Sequence, residues 1–504
     1  MRPAVAAVSS GRLSALGARV LCSGPVGVRC RSSSASSSTD LHVDTATSET
    51  EKLKTIDDLP GPSMSKTLYW ILCKGYADKA HLMQDLQKNL YGPIWRSRFG
   101  HYNLVNVASA ELISQVIRQE GRYPVRALLP HWKEYKDLRG QAYGLHVDTG
   151  PNWYRIRSAL NPKMLKLQEV RPYVSVILQV VDDLLRRIEL LREKSPDKTT
   201  VPDIASEFYK FGFEGISAIL FETRLGCLEE EVPKDTQRFI KGLNDMMYLS
   251  GLVPLFPKWT RSFLPFWKGF VQAWDDLSDV SRKLVERRMR ELEQNSEAQK
   301  EGLYLTYLLS NDKLSLAEVY TSIMELMLGG VDTTSNTLSW PYDLSQMPYL
   351  KAVIKEVLRL YPVVPGNARF VAENDLIVGG YWFPKETQFH LCHYSVCHSA
   401  EEFPEPENFI PERWLRPGES AGGAYSRALP TVNKHHPYSY IPFGVGVRAC
   451  VGKRVAELEM YLALSKLMQR YQVCPEDDAP VIEPKTRTLM IPGSPVNLRF
   501  LHRA

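Results

Sequence analysis

The sequence predicts a mainly α-helical protein organised as one large catalytic unit. Three stretches carry that expectation: a capped helix start at Ser315, a short helix bearing Glu356 and Arg359 that Pro362 stops, and the segment Lys453–Met468 with apolar residues three and four apart. The 504-residue chain is 44% hydrophobic and 24% charged, enough for a deep core, and no internal repeat or long interior linker divides it.

Residues 1–39 contain five arginines (Arg2, Arg12, Arg19, Arg29, Arg31), many serines and no acid; Asp40 is the first carboxylate. This is the composition of a mitochondrial transit peptide. A secretory signal would need an uninterrupted apolar stretch, and a disordered tail does not explain the acid-free arginine spacing. The chain carries 62 Lys+Arg against 57 Asp+Glu, so its +5 charge equals those five arginines and residues 40–504 are formally neutral. Nucleic-acid binding loses its electrostatic motive. No run of about 18 apolar residues offers a transmembrane anchor.

Trp153 and Arg157 stand four apart on one helix face, a pairing that more often makes a surface stack. Further on, 246–259 and 263–267 are apolar, aromatic and proline-broken, with Lys258, Arg261 and Lys268 at their edges. Interfacial tryptophan and lysine suit a peripheral membrane surface, and burial in the core fits the composition equally.

The helix after Ser315 begins with a capping box, Ser315 with Glu318, and Leu314 can staple Val319. Gly329 and Gly330 then fall mid-helix, where each costs up to about 1 kcal/mol against alanine. Either close helix packing or a required gap explains them. Asp332 and Thr333 follow, a carboxylate beside a hydroxyl that can relay protons.

Glu356 and Arg359 share a helix face, an arrangement worth little when solvated. Lys351 and Lys355 lie one turn apart on another face of that helix. The segment 443–452 places Cys450 in a loop relieved by Gly444, Gly446 and Gly452, with Arg448 two residues before it and a helix start just after it. Such a loop brings backbone N–H groups, positive charge and a helix dipole to a thiolate, although a lone cysteine by a glycine turn is usually structural. The eight cysteines, at 22, 30, 73, 227, 392, 397, 450 and 474, show neither a CxxCH haem-attachment motif nor paired zinc spacing. A reduced matrix compartment argues against disulfides. No GxGxxG lies between a strand and a helix, so the chain carries no dinucleotide-binding fingerprint of its own.

Taken together, Phe443-x-x-Gly446-x-Arg448-x-Cys450-x-Gly452, Glu356-x-x-Arg359, Phe409-Ile-Pro-Glu-Arg413-Trp414 and Gly329-Gly330-Val-Asp332-Thr333 resemble the signatures of the cytochrome P-450 monooxygenases. The resemblance implies the cytochrome P-450 fold, mainly α with small β-sheets, and a single haem-thiolate domain over 40–504. Haem b (iron protoporphyrin IX) would be held noncovalently, with Cys450 as the axial iron ligand. Trp153, Arg157, Arg369, Arg448 and Phe443 would bind the cofactor, and Arg126 is a weaker propionate candidate. Asp332 and Thr333 match the acid–alcohol pair that delivers protons, the two glycines match the gap for dioxygen and substrate, and Glu356, Arg359 and Arg413 match a structural cluster. Lys351, Lys355, Lys453 and Arg454 form a basic patch suited to an acidic 2Fe-2S ferredoxin of the adrenodoxin type, itself fed by an NADPH-dependent ferredoxin reductase. Each of these cations taken alone fits an ordinary solvated face.

Further stretches, among them Trp132-Lys-Glu-Tyr135, Arg224-Leu-Gly-Cys227 and Ala456-Glu-Leu-Glu-Met460, resemble the mitochondrial sterol 27-hydroxylase group, and Pro484-Lys-Thr-Arg-Thr488 is similar to the vitamin D hydroxylases. The implied reaction is hydroxylation of a sterol or secosteroid side chain with O2 by a protein peripheral to the matrix side of the inner mitochondrial membrane. In one respect the chain departs from the family. Only 22 residues separate Thr333 from Glu356, so the connector 338–348, bracketed by Pro341 and Pro348, is short by about one helix and its loops. Either the connector is rebuilt in an active enzyme, or the chain is an impaired splice or gene-model variant that at best binds haem or sterol.

Overall fold

Two helices that approach almost to backbone contact organise the molecule. A computed structural model describes residues 53–99, 102–126, 129–294, 304–339, 350–371, 373–415, 435–477 and 479–503. The segment 1–39 and the connector residues 340–348 lie outside them.

The helices of the chain include α1 (Met64–Cys73), α2 (Gly150–Leu165), α3 (Ile204–Phe221), α4 (Lys234–Leu252), α5 (Pro265–Gln294), α6 (Leu316–Leu338), α7 (Leu350–Leu360) and α8 (Lys453–Arg470). The start of α6 is capped as its sequence predicts: Ser315 Oγ accepts from the Glu318 N–H at 3.3 Å while Glu318 Oε2 accepts from the Ser315 N–H at 2.8 Å. Both α3 and α6 are buried along nearly their whole length, as all-round apolar helices must be.

Small residues set how closely those two pack. A Cβ on Gly212 would lie 2.7 Å from Ser335 Oγ and 3.1 Å from the Val331 carbonyl; one on Gly330 would lie 2.8 Å from Ile216 Cγ1. Ser335 Oγ donates across the interface to the Phe208 carbonyl at 2.8 Å. On the other side of α6, Thr334 Oγ1 donates to Glu459 Oε2 of α8 at 3.4 Å. Thus α6 is clamped between α3 and the helix that follows Cys450.

The β structure is small. A four-stranded sheet contains β1 (Ile94–Phe99), β2 (Tyr102–Val107), β3 (Asn367–Phe370) and β4 (Gln388–Leu391) in the order β1-β2-β4-β3, with β2 parallel to β4 and the other pairs antiparallel. Two three-stranded sheets and the hairpin of Pro484–Arg487 with Leu489–Pro492 complete it. None of the described helices is long and apolar enough to cross a membrane.

Candidate active site

The loop 443–452 folds back on itself because two glycines take up left-handed backbone, Gly444 at φ 69° and Gly446 at φ 71°. The turn closes when the Cys450 N–H donates to the Phe443 carbonyl at 2.8 Å. Two residues later Gly452 caps α8. Burial pushes the Cys450 thiol up, opposed by the Gly452 N–H, by Arg126 and Arg157, and by Lys453. The positive charge beside the thiol comes from Arg126, Arg157 and Lys453, while Arg448 points to other backbone carbonyls, and desolvation outweighs these stabilisers in the free thiol. A coordinated metal reverses that balance, since a thiol bound to one is deprotonated outright.

Four arginines converge near this thiol. Arg157 of α2 donates from Nη2 to the Ala449 carbonyl at 2.7 Å and from Nε to Asn161 Oδ1 at 2.6 Å. Arg448 lies over the Trp153 ring and donates to the carbonyls of Leu145 at 3.2 Å and Asp148 at 3.3 Å. Arg369, on β3, is bonded to Glu120 and donates to the Val445 carbonyl at 3.0 Å. Arg126 donates to the Arg448 carbonyl, and its Nε has no partner among the described residues. Burial and mutual repulsion lower Arg126 to about 10 and Arg448 to about 9. Against these four cations the described residues set one carboxylate, Glu120, which burial raises and Arg369 lowers.

On α6 the residues divide by face. Thr333 Oγ1 donates to the Gly329 carbonyl one turn back at 2.6 Å, and a Cβ on Gly329 would meet nothing within 4 Å. The gap expected of both glycines therefore belongs to Gly329, because the register of α3 commits Gly330 to contact with Ile216. Asp332 turns instead toward α3. Its Oδ1 accepts from the Tyr209 hydroxyl at 2.6 Å and from Asn336 Nδ2 at 2.9 Å, and burial raises its carboxyl to about 6. Neither Tyr209 nor Glu120 carries a local sequence signal, since each meets its partner more than a hundred residues away.

Glu356, Arg359 and Arg413 come together in the interior. Arg359 binds Glu356 in bidentate fashion at 3.0 and 2.8 Å, and Arg413 Nε reaches Glu356 Oε1 at 3.0 Å. Trp414 Nε1 and the Ile410 N–H fill the remaining acceptor sites at 2.8 and 3.0 Å. Nearby, Lys355 covers the Trp414 ring and Lys453 covers Phe443, so both cations border the loop 435–452. Lys351, Lys453 and Arg454 are exposed, the last two near Glu457 at 4.0 and 3.4 Å. Trp259 and Phe263, whose burial the sequence left open, are 72% and 62% exposed.

A half-buried thiol ringed by surplus guanidinium groups, one of them with an N–H unpaired among the described residues, fits a large dianionic cofactor whose metal takes the sulfur. Haem with its two propionates has that chemistry, and a helix offering an open glycine beside a threonine suits dioxygen. The class so defined is the haem-thiolate oxygenases. The cytochrome P450 family model matches residues 60–341 and 342–500, and the chain belongs to that family, a haem-dependent monooxygenase.

Relatives and solved structures agree. The sequence is 40% identical to mitochondrial sterol 26-hydroxylase of Rattus norvegicus over 90% of each chain. It is 38% identical to mitochondrial 25-hydroxyvitamin D-1 alpha hydroxylase of Homo sapiens, over 89% of this chain and 93% of that one. The crystal structure of the cytochrome P450DA heme domain superposes with a TM-score of 0.66 at 20% identity, covering 88% of this chain and 97% of that one, which establishes the fold.

Proposed function

We propose that this monooxygenase hydroxylates the side chain of a sterol or secosteroid in mitochondria. The observation that carries the reading is 40% identity over 90% of the chain to a sterol 26-hydroxylase, joined to the half-buried thiol and arginine cluster. Cys450 would be the iron ligand. Arg126, Arg157, Arg369 and Arg448 would bind the propionates, with Trp153 and Phe443 packing at the cofactor. When bound, the haem supplies an iron centre that activates dioxygen for insertion into a C–H bond.

The chain's own part is to hold and feed that chemistry. Asp332 and Thr333 move protons, Gly329 leaves room beside them, and the Glu356 cluster braces the loop that carries Cys450. Lys351, Lys355, Lys453 and Arg454 dock a 2Fe-2S ferredoxin that a reductase keeps reduced. Exposed Trp259 and Phe263, beside Lys258 and Arg261, rest on the matrix face of the inner membrane and admit an apolar substrate from it. The acid-free segment 1–39 supports mitochondrial import.

A vitamin D hydroxylase is the second reading, favoured by the 38% identity to the human 1-alpha hydroxylase. The short connector is supported by the alignment to the rat relative, whose 487 positions exceed the 90% of this 504-residue chain that they cover. The break of the family match between 341 and 342 supports the same reading.

One experiment separates an active enzyme from an impaired variant. The full chain, reduced under carbon monoxide, is expected to show a thiolate-type Soret shift that Cys450→Ala abolishes. A neutral-thiol spectrum, or no haem, overturns the reading. Turnover of cholesterol-like sterols against vitamin D-like secosteroids with a ferredoxin system then decides the substrate.

A further inference from the structure

Behind the α3–α6 contact lies a cleft of about 610 Å³, lined by α3, α4 and the segment 491–495. Its rim includes exposed Ser206, Lys241 and Asn244, so it opens to solvent. Its floor includes Tyr209 and Asn336, the two residues that hold Asp332. The Asp332 side chain is buried, and these two bonds stand between it and the cleft.

We propose that Tyr209 is the positioning residue that holds Asp332 and recharges it with protons drawn from this cleft, an inference that rests on Asp332 serving proton delivery. The bonding pattern suits that task. The Tyr209 oxygen donates its hydrogen to Asp332 Oδ1 at 2.6 Å and accepts one from Asn336 Nδ2 at 2.8 Å, which leaves one lone pair free for solvent. A proton arriving from the cleft forms a new bond to that oxygen while the existing O–H bond breaks toward Asp332. The phenol is regenerated and Asp332 becomes the neutral acid. Burial and the neighbouring Asp332 raise the Tyr209 pKa well above its usual value, so the phenol exchanges protons without standing ionised.

Asn336 fixes the geometry from below, its two amide hydrogens shared among the Tyr209 oxygen at 2.8 Å and the Asp332 carbonyl and carboxylate, each at 2.9 Å. The charged groups around the cleft are Asp203, Lys485, Lys210 with its partner Glu207 at 2.6 Å, and Lys241 with Asp245 at 2.5 Å. On the far face of α6 Glu459 meets Thr334 and not Asp332. Asp332 thus titrates against burial, Tyr209 and Asn336.

The test compares the full-length protein with Tyr209→Phe, Asp332→Asn and Asn244→Trp. Infrared difference spectra over a pH series read the Asp332 carboxyl band, which Asp332→Asn identifies by its loss. Tyr209→Phe removes a bond to the charged form, so the midpoint should rise with about a tenfold change in the acid constant. In the ferredoxin-driven enzyme the same variant should release several-fold more peroxide per product and show a larger solvent isotope effect, with substrate-induced spectral binding unchanged. Asn244→Trp, which narrows the rim and leaves the phenol in place, should raise the isotope effect without moving the midpoint.

An unmoved carboxyl midpoint and peroxide ratio in Tyr209→Phe overturn the proposal, and an unaltered isotope effect in Asn244→Trp overturns the cleft as the inlet. If Asp332→Asn itself leaves peroxide release unchanged, the proton-delivery reading of Asp332 fails. If it raises peroxide and Tyr209→Phe does not, only the present inference fails.

Discussion

The Arg448 guanidinium lies 3.5 Å from the centroid of the Trp153 ring, and each of its terminal nitrogens donates one hydrogen bond to a backbone carbonyl. A desolvated cation–π contact of this kind contributes about 2 kcal/mol. Because burial and three neighbouring arginines destabilise the charge on Arg448, the ring face is part of what keeps it in place.

Trp153→Leu should therefore weaken cofactor retention while the fold survives. Haem transfer to an excess of apomyoglobin is expected to quicken on the order of tenfold, the equivalent of ~1.4 kcal/mol. Transfer at the parental rate would mean that the ring contributes packing alone.

Glu356 accepts from two arginines, an indole and a backbone N–H, and is itself fully buried. Burial works to raise its pKa, and the bonds from Arg359 and Arg413 outweigh it. Glu356→Ala strands two buried guanidinium groups, and breaking such a pair costs about 3–5 kcal/mol. The unfolding free energy of the variant from denaturant titration should fall by that amount, lowering the midpoint, and little haem-loaded protein should be recovered. A parental midpoint would show that the cluster is not a stabilising brace.

The adjacent glycines of α6 should respond oppositely to alanine. At Gly330 the new methyl runs into Ile216, and overpacking of this kind costs about 1–3 kcal/mol. At Gly329 it meets open space, and the helix gains up to about 1 kcal/mol in propensity. Gly329→Ala is thus expected to melt at or above the parent temperature but to bind carbon monoxide more weakly in the reduced, haem-loaded form. Equal melting temperatures for the two variants would contradict this division of roles.

That contrast shows where the sequence was readable. The Ser315 cap and the Glu356–Arg359 pair each lie within one helical turn, and the helix after Cys450 repeats apolar residues three and four apart, so spacing exposed these elements, though not the burial of the pair. Arg413 needed the family resemblance, because the chain between it and Glu356 has no period. Tyr209 and Glu120 gave no signal, since their partners Asp332 and Arg369 reach them only through the α3–α6 packing and the approach of β3. Which glycine faces open space depends on the position of Ile216, a matter of register between helices that composition does not encode.

Glu459 supplies a pH test. It is buried where α8 meets α6, bonded to Thr334 through one oxygen, and a Cβ on Gly215 would lie 2.7 Å from the other. Burial raises its pKa from 4.5 to about 8. Between those values the unfolded chain has lost the proton while the folded chain keeps it, so unfolding releases a proton and stability falls as pH rises from about 4.5 to about 8. Above that range the penalty is constant. Glu459→Gln keeps the shape and removes the titration, and comparing variant with parent cancels every other group, including Asp332, which drifts in the same direction. The melting-temperature difference in favour of the variant should therefore widen from pH 5 to pH 8 and then level off. A difference that stays flat across that range would mean that Glu459 is already ionised in the folded protein, with a counter-charge at the α6–α8 contact.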